Sequence, residues 1–319
     1  MGYGAYSHAA HVAITAGRAP EAVFTASARP DGALLSPRGA VRECRDSEGH
    51  PDALPIVFAL DVTGSMGEVP RILATSTLPD FMRALLDAGV GDGQLCFMAV
   101  GHAGQDRAPL QVGQFESTAA LIDQWLTRLW LEGGGVGRHE AYELAMYFAA
   151  RRMRLDSVEK RGRRGYFFLT GDVAPNPAVS RVEVGRLIGD APAEDIPIRD
   201  LIEELQRRFE PFFFLAQGAG AAVEHAWREL LGDRVIRLGH TEDAAMVAAG
   251  LVALLEGSAP SLPAYLDRLA AAGMRRSAVA RVAVALVGFA ASVGRDGAPN
   301  PMRRHGGLPT GDAPSGMER

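Results

Sequence analysis

The run Ile56-Val57-Phe58-Ala59-Leu60 is apolar without a break and ends on a carboxylate, Asp61. A short continuous apolar run bounded by turn residues reads as a strand buried on both faces, and parallel sheets with helices on either side contain such strands. The rest of the chain repeats the signal. Apolar stretches at 94–101, 165–170, 211–216 and 234–238 read as further strands, and 109–115, with alternating apolar positions, reads as a short edge strand. Helical patterns lie between them, over 66–73 and 81–86 with Thr77 as a cap, 118–131 capped by Ser117, a helix carrying Tyr142, Leu144, Ala145, Tyr147 and Phe148, and then 200–209, 221–231 and 243–255. This alternation predicts an α/β fold with a doubly wound, Rossmann-like, mostly parallel six-stranded sheet and helices on both faces.

In a chain of 319 residues the alternation occupies 53–256 and predicts one large domain there. Residues 1–52 read as an N-terminal extension of short helical pieces followed by an Arg-, Pro- and Gly-rich connector. Segments 260–273 and 277–293 are amphipathic and define a C-terminal helical segment, 257–294, and 295–319 has almost no apolar content and reads as a disordered tail.

The chemistry begins where the first strand ends. Asp61, Thr63 and Ser65 place three hard oxygen donors within five residues, the kind that Mg²⁺ or Mn²⁺ prefers, and only one of them is charged. A cation held this way keeps much of its positive charge and accepts an acidic group from outside. The same residue types also serve a strand-to-helix turn as caps, with no ligand involved.

The pattern Asp61-x-Thr63-x-Ser65 resembles the Asp-x-Ser-x-Ser element of the von Willebrand factor A (vWA) domain, with Thr63 replacing one serine by another hydroxyl. The resemblance implies a metal-ion-dependent adhesion site at the C-terminal edge of the sheet. It extends to two later loops. Gly133-Gly134-Gly135-Val136-Gly137 precedes Glu140, and the run is similar to the Gly-Gly-Gly-Asp-Gly-Pro-Glu version of the second metal loop, with Val136 in place of Asp. Glu140 is the candidate ligand there, and it also reads as a first-turn residue facing the helix dipole. Thr170-Gly171-Asp172 stands where the family has Thr-Asp-Gly, whose Asp reaches the metal through water, and Asp172 comes one residue late. The metal set implied by motif and resemblance together is Asp61, Thr63, Ser65, Glu140 and Asp172, with Mg²⁺ or Mn²⁺ as the cofactor.

Family members that look like this chain act as binding modules, some of them as adaptors for AAA-type ATPase assemblies. The implied function is therefore a non-enzymatic module that takes an Asp or Glu side chain of a protein partner as a metal ligand. A Mg²⁺-dependent phosphohydrolase also places an Asp at this strand end but needs a second acid two residues on, where Thr63 stands. A formal charge of −5 argues against general nucleic-acid or anionic-membrane binding, although 160–164 is a local basic run, read as a solvated turn. Only Cys44 and Cys96 are present, no stretch is long enough for a membrane span, and the N-terminus lacks a signal-peptide pattern, which together read as a cytoplasmic protein.

Overall fold

The computed structural model describes residues 4–16, 18, 23–24, 32, 34–64, 66, 68–133 and 140–297. Ser65, the second metal loop between Gly133 and Glu140, and the tail from 298 onward lie outside the described residues.

Six strands form the central sheet: β1 (Leu54–Asp61), β2 (Gly93–Val100), β3 (Leu110–Val112), β4 (Gly165–Gly171), β5 (Phe209–Leu215) and β6 (Val235–Arg237). Their order is β3-β2-β1-β4-β5-β6, parallel except for the antiparallel edge strand β3. The chain thus winds outward from β1 in one direction and from β4 in the other, which puts the reversal between those two strands. Ligands of open α/β sheets bind at the C-terminal ends of strands beside such a reversal.

Among the described residues the helices of eight residues or more are α1 (His8–Thr15), α2 (Leu78–Asp87), α3 (Ala119–Thr127), α4 (Tyr142–Arg152), α5 (Ile198–Gln206), α6 (Ala221–Leu231), α7 (Ala244–Leu255), α8 (Leu262–Ala271) and α9 (Arg276–Ser292). Alternate residues of each strand feed opposite cores, because side chains of a strand point to opposite faces. Ile56, Phe58 and Leu60 join α2, α3, α7, α8 and α9 in one core, whereas Val57 and Ala59 join α4, α5 and Trp227 of α6 in the other. Phe58 lies at the middle of the first, with ring centroids 5.1 Å from Phe81, 6.0 Å from Phe97 and 5.2 Å from Phe168.

The C-terminal helices belong to this first core. Phe289 meets Phe212 edge-on at 5.2 Å, the Tyr265 hydroxyl donates to the Met246 carbonyl at 2.6 Å, and Arg281 grips Asp243 with two bonds. Gly250 makes the approach possible, since a Cβ there would lie 2.6 Å from side-chain atoms of both Leu286 and Tyr265.

Local departures from the sequence reading have identifiable causes. Thr77 does not cap a helix. The chain runs from a short helix, Glu68–Ile72, through a π-helical segment, Leu73–Thr77, straight into α2, and the hydroxyls of Ser76 and Thr77 donate backward to the Ile72 carbonyl. Ser117 is likewise no cap, because its hydroxyl donates to the Gly4 carbonyl and pins the N-terminal segment. Part of the connector is a strand, as Arg42–Cys44 pairs in parallel with Met153–Leu155.

The basic run at 160–164 is mostly exposed, as expected, but it begins at the end of a short helix, Asp156–Arg161, and its charges are paired within the chain. Lys160 and Arg161 pair with Asp46, Arg161 and Arg163 with Asp52, Arg163 with Glu256 and Arg164 with Glu210. Its charge is answered within the chain by Asp46, Asp52, Glu210 and Glu256.

Candidate functional site

Asp61 is the last residue of β1, and its side chain is inaccessible to solvent. The sheet register sets its backbone, with Asp61 opposite Val100 on one side and its amide donating to Thr170 Oγ1 of β4 at 3.1 Å on the other. The chain then turns sharply. Thr63 folds back so that its amide donates to Asp61 Oδ1 at 2.9 Å and its hydroxyl donates to the same oxygen at 2.6 Å. The carboxylate thereby organises its own loop, as short polar side chains do in turns.

The other oxygen is taken by a residue that the motif reading did not single out as a site group. Tyr142, at the start of α4, donates its hydroxyl to Asp61 Oδ2 at 2.5 Å. The amide of Asp172 donates to the same phenolic oxygen at 3.4 Å, so Tyr142 bridges the ends of β1 and β4. Its ring is held by Phe213 and Trp227, each with a centroid 5.9 Å away, and those two rings stack on each other at 4.0 Å. Trp227 in turn donates to the Val173 carbonyl at 2.8 Å, anchoring the segment that follows Asp172. In the sequence Tyr142 reads as one apolar position among several on its helix. The signal available was a phenol on a buried face, which needs a hydrogen-bond partner.

Electrostatics converge on the same point. Burial pushes the Asp61 carboxyl up to about 7, with Asp172 adding to the rise and the hydrogen bonds from Thr63 and Tyr142 opposing it. The Tyr142 phenol is driven well above its ordinary value by burial and then by the negative charge of Asp61, Glu140 and Asp172. It therefore stays protonated and acts as a donor. Negative charge from Asp61, Glu140 and Asp172 therefore converges on the Tyr142 phenol.

Of the five residues expected at the site, Asp61 and Thr63 touch, Glu140 and Asp172 lie within electrostatic reach of the phenol that binds Asp61, and Ser65 lies outside the described residues. Glu140 is buried. It pairs through its backbone with His102, and Asn176 donates to its carbonyl at 3.3 Å. Gly64 faces the carbonyl of Gly133, the last described residue before the second loop. Among the described residues no three His, Cys, Asp or Glu side chains are arranged to hold a metal on their own. A cation here would rest on Asp61, on hydroxyl oxygens and on water.

The 2.6 Å between Asp61 Oδ1 and Thr63 Oγ1 is a hydrogen-bond distance, with the hydroxyl proton between the two oxygens.

No protein-family model matches the chain, and no curated protein matches it. Among solved structures, the pilus adhesin SpaC from Lactobacillus rhamnosus GG in its open conformation is similar over 68% of this chain and 30% of the adhesin, with 12% identity and a TM-score of 0.44. The proximal thread matrix protein 1 of the mussel byssus is similar over 67% of this chain and 49% of that protein, with 12% identity and a TM-score of 0.39. The chain thus spans less than half the length of each. Among the described residues no helix is long and apolar enough to cross a membrane.

Proposed function

We propose that this chain is a vWA-type binding module that uses a divalent cation, Mg²⁺ or Mn²⁺, to engage an acidic side chain of a protein partner. The observation that carries the reading is the pairing of Asp61 with Thr63, 2.6 Å apart at the C-terminal end of β1 and beside the strand-order reversal. Asp61 and Thr63 would hold the ion, with Ser65 as a further hydroxyl ligand and Glu140 and Asp172 acting from the neighbouring loops. When bound, the cation supplies an electrophilic centre that a partner carboxylate completes. An AAA-type ATPase assembly is the class of partner implied by the family likeness. A cytoplasmic setting belongs to the same proposal and is supported by two free, buried cysteines.

The phosphohydrolase reading draws less support. Thr63 occupies the place where an acid/base carboxyl would stand, and its hydroxyl is spent on Asp61.

The test is calorimetric titration of the full chain with MgCl₂, for the wild type and Asp61→Asn. The amide keeps the size of the side chain and one acceptor oxygen while removing the charge. Saturable binding to the wild type, lost in the variant, is the expected result. Equal binding by both places the cation elsewhere.

A further inference from the structure

Arg38, Arg107 and Arg186 come from three separate stretches of the chain and line one cleft of about 200 Å³, which Leu35, Pro109 and Leu110 also line. All three arginines are exposed. They are stitched in place through carbonyls. Arg38 Nη1 donates to the carbonyls of Gly185 at 3.0 Å and Arg186 at 2.6 Å, and Arg186 Nη2 donates to the Ala103 carbonyl at 2.8 Å. Such bonds orient a guanidinium without cancelling its charge, whereas Arg152 and Arg281 are each gripped by a carboxylate, Asp190 and Asp243. Among the described residues no carboxylate lies within ion-pair distance of the three cleft arginines. The acids of the neighbouring loops serve backbone amides instead: Asp106 accepts from His102 at 2.7 Å, and Glu132 from Arg107 at 2.9 Å and Ala108 at 3.4 Å. In a chain with a formal charge of −5 the cleft is a local concentration of positive charge.

The cleft also offers backbone. β3 is an edge strand, and Val112 turns its amide and carbonyl away from β2, where the Leu35 carbonyl and the Arg42 guanidinium meet them, each at 2.8 Å. Backbone groups of successive residues in an antiparallel pair face opposite sides, so Leu110, two residues earlier, turns its amide and carbonyl to the same outer side. An inorganic anion has no use for these groups, whereas an extended peptide pairs with them. We propose that this cleft docks an extended acidic segment of a protein partner, whose carboxylates pair with Arg38, Arg107 and Arg186 while its backbone adds to the edge at Leu110. The planar guanidinium fork matches a carboxylate with two parallel hydrogen bonds, which suits arginine to this task. Leu110 stands opposite Val100, and Val100 opposite Asp61, so the cleft lies at the same end of the sheet as the Asp61 loop. It needs no cation and is independent of the metal-dependent reading.

The experiment is fluorescence anisotropy of the full chain with a labelled decapeptide of alternating Glu and Thr, and with its counterpart of alternating Gln and Thr, in metal-free buffer. The proteins are the wild type, Arg107→Gln and Arg276→Gln, with melting curves confirming that each folds. Among the described residues the Arg107 side chain makes no hydrogen bond, so its loss leaves the fold intact. Arg276, exposed at the start of α9, controls for net charge. The wild type is expected to bind the Glu peptide about tenfold or more tightly than the Gln peptide, Arg107→Gln to lose about tenfold, and Arg276→Gln to bind as the wild type does. Equal affinity for the two peptides, or an equal loss in the two variants, overturns the proposal, because only the general field of the protein would then be at work. Displacement of the Glu peptide by inorganic phosphate, beyond what NaCl of equal ionic strength causes, makes the cleft a small-anion site and overturns the peptide as occupant. Absence of Glu-peptide binding by the wild type also overturns it, and leaves the metal-dependent reading standing.

Discussion

Gly171 and Tyr142 share one volume: a Cβ built on Gly171 would lie 2.3 Å from the Tyr142 phenolic oxygen and 2.6 Å from the ring carbon that bears it. The last residue of β4 is thus a glycine because the phenol passes through the space that a side chain would fill. Both contacts are far below van der Waals distance, so one partner must move if the glycine is replaced. The strand is held by β1 and β5, which leaves the ring as the part that yields.

Gly171→Ala is therefore expected to destabilise the protein by about 1–3 kcal/mol, the usual cost of overfilling a packed core. In a Tyr142→Ala background the same substitution is expected to cost much less, because the space has been vacated. Chemical denaturation of the four proteins of this cycle measures the coupling. Additive costs would mean that Gly171 serves the strand and not the phenol.

Glu143 lies one residue beyond Tyr142 and is buried, accepting from Asn176 Nδ2 at 3.1 Å. Burial pushes its carboxyl up to about 7, above its ordinary value of 4.5, with the Asn176 hydrogen bond opposing the rise. A group whose folded-state pKa is raised contributes stability that is fully present below its unfolded pKa and is lost as pH rises through the folded one. Its contribution is therefore expected to fall between about pH 4.5 and 7, by roughly 3 kcal/mol at the upper bound set by the shift. Glu143→Gln keeps an acceptor for Asn176 without the charge. It is expected to flatten this part of the stability profile and to melt higher than the wild type at pH 8. Parallel profiles for the two proteins across this window would show that the carboxyl is already ionised when folded.

No turnover of a phosphomonoester is expected. A strand-end Asp followed two residues on by Thr63 instead of an acid lacks the paired group for general acid/base assistance, which is typically worth about 10² to 10⁴ in rate. The measurement is hydrolysis of p-nitrophenyl phosphate in Mg²⁺ by the wild type and Asp61→Asn. Hydrolysis that disappears with Asp61→Asn would replace the binding-module reading with the enzymatic one.

The strand and helix alternation was legible because buried parallel strands write themselves as apolar runs. The Phe167, Phe168, Phe212, Phe213 and Phe214 positions, which supply both cores, make the point. Asp61 and Thr63 read in the sequence as joint metal ligands, and the hydrogen bonds that join them directly were not specified by their spacing. Tyr142 was not legible as a site residue. Its partner is 81 residues away in the chain, and nothing local distinguishes a phenol that caps a carboxylate from one that fills a core. The same limit applies to the basic run at 160–164, whose acids come from Asp46, Asp52, Glu210 and Glu256, all distant in sequence. The caps expected at Thr77 and Ser117 failed for a related reason. A hydroxyl has several acceptors within reach, and tertiary contacts decide among them.

The last expectation concerns how cation and partner depend on each other. Asp61, Thr63 and Ser65 bring one negative charge, so a divalent ion bound there remains incompletely neutralised and leaves a coordination position for an Asp or Glu from outside. Without the ion, that incoming carboxylate would face Asp61 and Asp172 across a short gap and be repelled. Without the partner, Mg²⁺ would have to shed water for a single charged ligand, which it does reluctantly. Each should therefore tighten the other's binding by the same factor, because the coupling free energy is a property of the ternary complex and not of the order of addition. A protein retained on the immobilised chain in Mg²⁺ and released by EDTA supplies the partner. Its titration is then run with and without Mg²⁺, and again with its contact acid changed to Ala. The expected result is a Mg²⁺-dependent gain in affinity that vanishes with the acid, and a matching gain in Mg²⁺ affinity when the partner is present. Equal partner affinity in Mg²⁺ and EDTA would mean that the loop around Asp61 does not carry the interaction.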